Sequence, residues 1–532
     1  MQIISFSPFG YEGAMVTVEV DLRRGIPAVD LVGLADNAVK EARERMRAAI
    51  RNSGFEFPSE RVLISLSPAD VKKEGAGFDL AMALAVLFEK AKIEKKIEKC
   101  DSKIKVLVMG ELELAGRVRR VRGVHAAVST AAECGIQYCI VPKENAEEAS
   151  GVKEINVFVV DSLQNAWKVF AKLPKQVKKI NNVENSAKLS NITCLPKKKS
   201  NNETDNHVIF SPVKIGTDFS GIVGQPKLVR ALQIGAAGRH NIIAYGPPGC
   251  GKTLALRRFA SLLPQLTLAE SQPVTRIYSI AGCLPPKTNL IREAPFRMPH
   301  QSASLEGMIG GGRNCRPGEI SLAHNGVLFL DEAAEFKTSV LQSLRVPLEE
   351  GRIVLSRAGR RTEFPAHFQL LIATNPCPCG NFGCDDKICV CSARSVEQYW
   401  RRFSSPLLDR IDIRIAVKAN SGEKAVEGKT AISTEMLRKD IGRAVAIQRE
   451  RQGKPNAWLS ASEVAFYCKL DNSCKEWLEN TTKEQGFSAR AVHSCMKLAR
   501  TIADMKGSFI ITIQDLQEAV FFRKSNGVIS ML

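Results

Sequence analysis

The sequence has no long apolar run and no recognisable export signal. Its 532 residues contain no stretch that approaches the ~20 apolar residues of a membrane-spanning helix. The first eight residues lack a basic segment followed by an apolar one, which a secretory signal would have. These absences predict a cytoplasmic protein with no membrane partner.

Cysteines in closely spaced pairs are also scarce. The chain has 15 cysteines, and most are scattered singly, as at Cys134, Cys139, Cys250 and Cys468. This scatter is typical of reduced, buried thiols in a cytosolic protein. One group, between residues 377 and 391, breaks the pattern.

Acidic residues are too few to balance the basic ones. The 75 Lys and Arg against 56 Asp and Glu leave a formal charge of +19 and a pI near 9.3. Such a charge favours a polyanionic partner, but nucleic acid, ATP and anionic membrane surfaces all qualify. Charge alone therefore supports nucleic acid only weakly.

Length and local composition indicate several domains. A chain of 532 residues is too long for one core, and its 44% apolar content is ample to bury two or three. Residues 1–171 alternate strand-like and helix-like runs and predict an α/β domain. Residues 172–214 are rich in Asn, Ser and Lys and predict a flexible basic linker, whose length implies loose coupling between domains.

The second half of the chain predicts an α/β core over residues 215–420 and a helical lid over residues 421–532. Predicted strands of the first domain are 14–20, 62–67, 105–108 and 137–142, and its predicted helices are 38–53 and 78–88. Predicted lid helices are 435–451, 460–469, 488–506 and 512–522.

A phosphate-binding loop follows the apolar run at residues 241–245. The pattern G-x-x-x-x-G-K-[ST] is matched by Gly246, Pro247, Pro248, Gly249, Cys250, Gly251, Lys252 and Thr253. In such a loop, backbone N–H groups close around phosphate oxygens, the lysine adds a charge, and the Thr hydroxyl can ligate Mg²⁺. The flanking strand and helix patterns argue against a chance glycine turn.

Two further apolar strands end in polar residues that suit ATP hydrolysis. Residues 326–330 lead into Asp331, which would hold the Mg²⁺ shell, and Glu332, which would orient the attacking water. Residues 368–374 lead to Asn375, where a γ-phosphate sensor would lie, although Asn375 alone would be interpreted as a turn residue. The combination predicts an ATP hydrolase that uses ATP and Mg²⁺.

Several longer motifs resemble one family. The chain resembles the ComM/YifB-type, magnesium-chelatase-like AAA+ ATPases over nearly its whole length. In the second half, the motifs are Asp218-Phe219, Gly224-Gln225, Pro299-His300, Gly310-Gly311-Gly312 and the runs 317–326, 375–380 and 406–412. In the first half, they are Val32-Gly33-Leu34, Val39-Lys40-Glu41, the run 48–54 and Lys73-Glu74-Gly75.

The resemblance implies a homo-oligomer, a hexameric ring with ATP between neighbouring subunits. Arg410 matches the family's arginine finger, which stabilises transition-state charge on the neighbour's phosphate. The alternative for Arg410 is a structural salt bridge with Asp409 or Asp412. Arg490 matches the family's lid arginine, a second phosphate sensor; without the family it is an ordinary helix-surface arginine.

Within this family, residues 279–318 look like the helix-2 insert and residues 352–365 like a β-hairpin before the sensor strand, both directed at the ring's pore. The hairpin tip carries Arg357, Arg360 and Arg361, three guanidiniums that can grip DNA phosphates. A solvated, arginine-rich turn is the open alternative.

The cysteine group lies directly behind Asn375. Cys377, Cys379, Cys389 and Cys391 match the family's pairs and are the expected ligands of a structural Zn²⁺, with Cys384 as an extra thiol. The C-x-C spacing is tighter than a common zinc knuckle, and a metal-free loop remains an open alternative.

The first domain resembles the fold of the Lon protease catalytic domain, which is a ribosomal S5 domain 2-like α/β fold. Where Lon-type proteases carry a Gly-Pro-Ser-Ala-Gly turn, this chain has residues 73–77 without serine. At the position of the lysine base it has His125, more simply a residue at a helix start. The domain is expected to bind or scaffold, not to cleave.

The family's better-described members drive DNA branch migration during natural transformation. The resemblance therefore implies a DNA translocase or helicase with single-stranded or branched DNA as its partner, acting in recombination or transformation. A magnesium-chelatase-like motor that remodels a partner protein is the alternative, although no metal-adhesion or porphyrin module is recognisable. A protein-remodelling chaperone is a third hypothesis, weakened by the absence of an aromatic pore loop.

Overall fold

The computed structural model describes residues 1–73, 75–95, 104–180, 208–312, 314–357, 360–383, 387–418 and 432–524. In chain order these residues form the front domain (1–180), the core domain (208–418) and the lid (432–524). Most of the predicted linker, residues 181–207, lies outside the described residues, as does Cys384. The architecture is α/β, as expected, and no helix in the described part is both long and apolar enough to cross a bilayer.

The front domain is a seven-stranded mixed sheet between two helical layers, in the order β3-β4-β2-β1-β5-β8-β9. Ile3 packs with the helices of one face and Ile4 with those of the other, because successive side chains of a strand point to opposite faces. The strands are β1 (Gln2–Ser7), β2 (Ala14–Arg23), β3 (Val29–Val32), β4 (Arg61–Ser67), β5 (Lys105–Val108), β6 (Glu111–Leu112), β7 (Val118–Arg119), β8 (Tyr138–Pro142) and β9 (Asn156–Val160), with β6 and β7 as a separate pair.

The helices on one face of this sheet are α1 (Asn37–Asn52), α2 (Asp79–Ile93) and α5 (Leu163–Ile180), and those on the other are α3 (Val124–Glu133) and α4 (Ala146–Ser150). The Asp36 side chain accepts the Val39 N–H and so caps the start of α1. His125 lies buried in the first turn of α3, as a helix-start residue would.

The core domain contains a five-stranded, wholly parallel sheet in the order β11-β14-β17-β10-β18. Its strands are β10 (Ile242–Tyr245), β11 (Phe296–Arg297), β14 (Val327–Leu330), β17 (Gln369–Thr374) and β18 (Ile413–Ala416). Both faces are covered by apolar clusters, which is why β10, β14 and the middle of β17 are continuously hydrophobic in sequence. The loops after parallel strands meet at one edge, and this edge holds the site.

Nine helices and two hairpins surround the described part of this sheet. The helices are α6 (Pro226–Gly238), α7 (Lys252–Arg258), α8 (Leu268–Ala281), α9 (Leu305–Ile309), α10 (Glu319–Leu322), α11 (Thr338–Ser343), α12 (Arg345–Glu350), α13 (Ala393–Arg401) and α14 (Ser405–Leu408). The hairpins are β12 (Gly310–Gly311) with β13 (Arg316–Pro317), and β15 (Arg352–Arg357) with β16 (Arg360–Pro365). Part of the expected insert, β11, pairs with β14 inside the main sheet.

The lid consists of helices that pack on α6 and on the end of β18. They are α15 (Thr434–Gln452), α16 (Ala461–Tyr467), α17 (Asn472–Gln485), α18 (Ala489–Lys506) and α19 (Ile513–Arg523). The Ser488 side chain accepts the Ala491 N–H and caps α18. His240 of the core domain contacts Thr501 of α18 at 2.8 Å, which fastens the lid to the sheet.

The front domain is fastened to the core domain through helix α8. Arg276 of α8 donates to Tyr11 O at 3.0 Å, to Thr130 Oγ1 at 2.7 Å and to Glu133 at 3.3 Å, and its side chain is 9% exposed. Gln272 donates to a front-domain carbonyl at 3.0 Å. The expectation of loose coupling is therefore wrong, because these contacts join the domains whatever the length of the linker.

Other differences from the sequence expectations concern element ends and short elements. Helix α5 continues to Ile180, past the expected domain end at residue 171, because its apolar periodicity extends into the basic segment. The predicted strands and helices are present with ends shifted by up to five residues. In the front domain and the lid, the sequence analysis gave no bounds for β1, β3, β6, β7, β9, α3, α4, α5 and α17.

Candidate nucleotide site

The loop from Gly246 to Thr253 connects β10 to α7, as its motif predicts. Gly249 and Gly251 have φ of +80° and +87°, and a Cβ added at either would meet nothing within 4 Å. The loop therefore leaves an open cradle that fits a phosphate group. Lys252 is buried, and its Nζ donates to the Gly246 and Pro247 carbonyls at 2.7 Å each.

Register places the other two strand ends beside this loop. Tyr245 of β10 is opposite Thr374 of β17, and Leu330 of β14 is opposite Ile372 of β17. The residues that follow, Asp331 and Asn375, therefore share the edge of the P-loop. Asn375 is half-buried there.

Thr253 and Asp331 contact each other directly. The Thr253 Oγ1 hydroxyl donates to Asp331 Oδ1 at 2.9 Å. A hydroxyl and a carboxylate at the end of a P-loop are hard oxygen ligands of the kind that Mg²⁺ prefers, so the residues fit the ion that the motif implies. Arg257 of α7 lies 3.9 Å from the other oxygen of Asp331, a contact that the sequence analysis missed.

Glu332 is held in an unusual backbone conformation. Its φ is +48° and ψ is +47°, the left-handed region that non-glycine residues rarely adopt, and its side chain is exposed. Its backbone N–H donates to Asp331 Oδ1 at 3.2 Å. Strained non-glycine residues of this kind concentrate at functional sites.

The predicted arginine finger, Arg410, lies at the edge of the sheet opposite to the P-loop. The Asn241 side chain, just before β10, donates to Arg410 O at 2.9 Å, and β18 begins three residues after Arg410. The P-loop begins after β10, and a four-residue strand spans about 13 Å. Arg410 is therefore remote from the P-loop of its own subunit.

Arg410 and Arg490 meet at one carboxylate. Arg410 Nη2 and Arg490 Nη2 both donate to Glu349, the latter at 3.0 Å. The alternative interpretation of Arg410, a salt bridge with Asp409 or Asp412, is wrong in its partner, because Arg410 pairs with Glu349. Asp409 pairs instead with Arg523, and Asp412 contacts His240. Glu349 was not singled out from the sequence, because its partners are distant along the chain.

The four expected zinc ligands come together. The Sγ atom of Cys377 lies 3.3 Å from that of Cys379 and 3.7 Å from that of Cys389, and all four Sγ atoms, including that of Cys391, lie within 4.8 Å of one another. Zn–S bonds of about 2.3 Å in a tetrahedron place sulfurs about 3.8 Å apart, so the thiols fit Zn²⁺. The backbone N–H of Asn381 and the thiol of Cys377 lower the pKa of Cys379, whereas desolvation and the neighbouring thiols raise the pKa of Cys389 and of Cys391. Without a bound cation, the cluster therefore favours one thiolate among protonated thiols.

The cysteine loop contacts the P-loop. A Cβ on Gly380 would lie 2.8 Å from Pro248 Cδ and 4.0 Å from Asn375 Cγ. The loop is anchored on its other side by Trp400, whose indole N–H donates to Pro376 O at 2.9 Å. The cysteine loop is therefore one wall of the nucleotide site.

The arginine hairpin forms as predicted. Arg357 is opposite Arg360 in the ladder, Arg357 is 59% exposed, and Arg361 is exposed. The hairpin tip at residues 358–359 and the Arg360 side chain lie outside the described part. On the inner side, Thr362 Oγ1 accepts the Tyr11 N–H at 3.0 Å, so the front domain contacts the hairpin.

Three family models match this chain in order. The model described as subunit ChlI of Mg-chelatase matches residues 18–145, that of magnesium chelatase, subunit ChlI, matches 218–425, and that of its C-terminal part matches 431–523. The matches cover most of the front domain, the core domain and the lid.

Two relatives that match nearly the whole chain, and one that matches part of it, support the same family. The chain is 37% identical to competence protein ComM of Haemophilus influenzae over 98% of this chain and 97% of that protein. It is 37% identical to the uncharacterised protein YifB of Escherichia coli over 97% of this chain and 95% of that protein. The magnesium-chelatase 38 kDa subunit of Rhodobacter capsulatus is 30% identical over 30% of this chain and 50% of that protein. With its P-loop and sheet, the chain belongs to the ComM/YifB-type family of magnesium-chelatase-like proteins and is an AAA+-type ATPase.

Proposed function

We propose that the chain is an ATP-driven DNA translocase that works as a hexameric ring and drives branch migration in recombination or transformation. The observation that carries the ring is the position of Arg410, at the sheet edge opposite to its own P-loop. An arginine finger there reaches a phosphate only if that phosphate is bound by a neighbouring copy. Closed rings with head-to-tail interfaces bring such opposite edges together.

The chemistry assigned to each residue follows from its position. Thr253 and Asp331 would hold Mg²⁺, which when bound neutralises charge on the phosphates. Glu332 polarises the attacking water, and its exposed, left-handed position leaves the carboxylate free to do so. Asn375, beside the P-loop, donates to the γ-phosphate, and Lys252 exchanges its two carbonyl acceptors for phosphate oxygens.

DNA as the partner is supported by the hairpin and by charge. Arg357 and Arg361 are exposed on a hairpin whose middle is held by the front domain at Thr362, so they can contact phosphates without a change of fold. The formal charge of +19 favours a polyanion. The name of the relative in Haemophilus influenzae, a competence protein, agrees with a role in transformation.

The second candidate is a chelatase-type motor that remodels a partner protein. It is favoured by the similarity to the magnesium-chelatase 38 kDa subunit. In that case the arginine hairpin would contact acidic protein surfaces instead of DNA.

Structural Zn²⁺ is also proposed, bound by Cys377, Cys379, Cys389 and Cys391. The spacing of the four sulfurs supports it. Its role would be to rigidify the wall of the nucleotide site that Gly380 forms against Pro248.

Steady-state ATP hydrolysis with and without DNA tests the proposal. We expect branched or single-stranded DNA to stimulate the wild type severalfold, with Glu332→Gln as the inactive blank. The double variant Arg357→Gln/Arg361→Gln should lose the stimulation. Arg352→Gln is the matched control, because Arg352 is exposed at the base of the same hairpin and pairs with Glu350 and Glu363.

Hydrolysis that is indifferent to single-stranded, duplex and four-way-junction DNA would contradict the DNA motor and favour a protein partner. If Arg352→Gln loses the stimulation to the same extent, the stimulation of ATP hydrolysis by DNA depends on the fold of the hairpin and not on the charge at its tip.

A further inference from the structure

One carboxylate, Glu349, binds both arginines that the family resemblance assigns to a phosphate. Arg490 Nη2 donates to Glu349 Oε1 at 3.0 Å, and Arg410 Nη2 donates to Oε2. The side chains of Glu349 and Arg490 are about half exposed, at 52% and 47%, whereas that of Arg410 is 13% exposed. The three residues form a charged cluster that is open to solvent.

The cluster joins three segments that are far apart in sequence. Glu349 lies on α12, Arg490 on the first turn of α18 in the lid, and Arg410 between α14 and β18. Each ion pair therefore closes a long loop of chain. The Glu349–Arg490 pair joins the core domain to the lid, whereas the Glu349–Arg410 pair lies within the core domain.

Glu349 is also close to the arginine hairpin. Only Gly351 separates α12 from β15, and it has φ of +66°. A Cβ there would lie 2.0 Å from the His367 ring, so this turn is tightly packed against the strand-β17 side of the core. Because a single packed residue joins the two elements, we expect a displacement of α12 to move the start of β15 as well.

The Glu349 carboxylate accepts hydrogen bonds from two guanidiniums, groups that also bind phosphate. Arg410, and to a smaller extent Arg490, lowers the pKa of Glu349, so it is ionised at neutral pH. A nucleotide phosphate carries more negative charge and more acceptor oxygens than a carboxylate, and guanidiniums bind it bidentately. The phosphate and Glu349 would therefore compete for the same two arginines.

We propose that Glu349 is a positioning residue that keeps Arg410 and Arg490 paired and releases them to the nucleotide phosphate bound by a second copy of this chain. The release frees α12 and so links nucleotide binding to the hairpin. This inference rests on the proposed function, since it requires an ATP site shared between subunits.

The test compares Glu349→Gln with Glu350→Gln in ATP titrations with and without single-stranded DNA. Glu350 is the matched control, because it is the next residue, is also about half exposed at 47%, and pairs with Arg352 at 3.1 Å. Loss of these two ion pairs, whose shared carboxylate is half exposed, should lower the KM for ATP by about three- to tenfold. We also expect a smaller ratio of DNA-stimulated to basal kcat than in the wild type, whereas Glu350→Gln should retain both values.

A KM for Glu349→Gln that is unchanged or raised would overturn the inference, as would an unchanged ratio of the two kcat values. A merely structural role would lower the melting temperature and kcat without lowering KM. If Glu349→Gln does not fold, Glu349→Asp carries the test, because it retains the charge on a shorter side chain and should lower KM by a smaller factor. Arg410→Ala in the same assay distinguishes failure of the shared ATP site from failure of the role of Glu349. If Arg410→Ala hydrolyses ATP at the wild-type rate, the shared site is refuted. If Arg410→Ala is inactive but Glu349→Gln behaves as the wild type does, only the role of Glu349 is refuted.

Discussion

Replacing Gly380 by alanine tests whether the cysteine loop shapes the P-loop. Gly380 has φ of +79°, and a Cβ there would lie 2.8 Å from Pro248 Cδ. The left-handed backbone costs an L-residue about 1–2 kcal/mol. Displacing the packed Pro248 ring costs a further ~1–3 kcal/mol, as overpacking does. The total free-energy cost of Gly380→Ala is about 2–5 kcal/mol, and part of it comes from displacing the P-loop.

Gly383 provides the matched control in the same loop. Its φ is +73°, and a Cβ there would meet nothing within 4 Å. Gly383→Ala therefore carries the backbone cost of about 1–2 kcal/mol without the contact with Pro248. The difference between the two variants isolates that contact.

The assay is the titration of each variant with a fluorescent ATP analogue, together with its thermal denaturation midpoint. If about 1.4 kcal/mol of the free-energy cost of displacing Pro248 weakens ATP binding, Gly380→Ala raises the Kd for ATP about tenfold. Gly383→Ala should bind ATP as the wild type does. Equal ATP affinities for the two variants would refute the reasoning that the cysteine loop supports the nucleotide site.

Three further predictions concern the ring, the metal and pH. Arg410→Ala and Lys252→Ala should each lack ATP hydrolysis, but a 1:1 mixture should recover about a quarter of the wild-type rate, because a quarter of the interfaces in a mixed ring are intact. The purified protein should contain one zinc per chain by elemental analysis, and Cys389→Ser should lose the zinc and melt at a lower temperature. Burial lowers the pKa of His125 from 6.5 to about 4, so its stabilising contribution is complete above pH 6.5 and is lost as the pH falls toward 4. At pH 5 the loss is about 2 kcal/mol, and His125→Gln should show a smaller fall in melting temperature between pH 7 and pH 5.

Each of these has a control and a contradicting result. Failure of the mixture to regain activity, in rings shown to exchange subunits, would contradict the shared site. Cys134→Ser, an exposed cysteine outside the cluster, should keep its zinc. The exposed His300→Gln should melt with the pH dependence of the wild type, and the same dependence in His125→Gln would disprove the role assigned to its burial.

The motifs of the nucleotide site could be predicted from the sequence because phosphate recognition is local. The P-loop needs glycines, a lysine and a hydroxyl in one short run, and Asp331 and Asn375 each follow a predominantly apolar strand. Parallel strands place their carboxyl ends at one edge, so the convergence of these residues followed from the strand pattern. The roles of these residues in hydrolysis stay predictions.

The cysteine group is a similar case. Cys377 and Cys379, like Cys389 and Cys391, are paired by spacing, and the approach of the two pairs needs only the folding of a short loop. The sequence could not show that this loop packs against Pro248. Gly380 follows β17 and Pro248 follows β10, and the contact forms only when these two strands lie side by side in the sheet.

Other features were decided by tertiary structure alone. The sequence determined that this chain has a P-loop, a strand ending in two acidic residues, a lid and a basic hairpin, because each is written in contiguous residues. Only the fold decided that Arg410 lies at the edge opposite to its own P-loop, that Glu349 is shared by two arginines, and that Arg276 ties the front domain to α8. These contacts join residues that are scores to hundreds of positions apart, and their formation depends on which surfaces the hydrophobic cores bring together, a property that no local pattern of residues encodes.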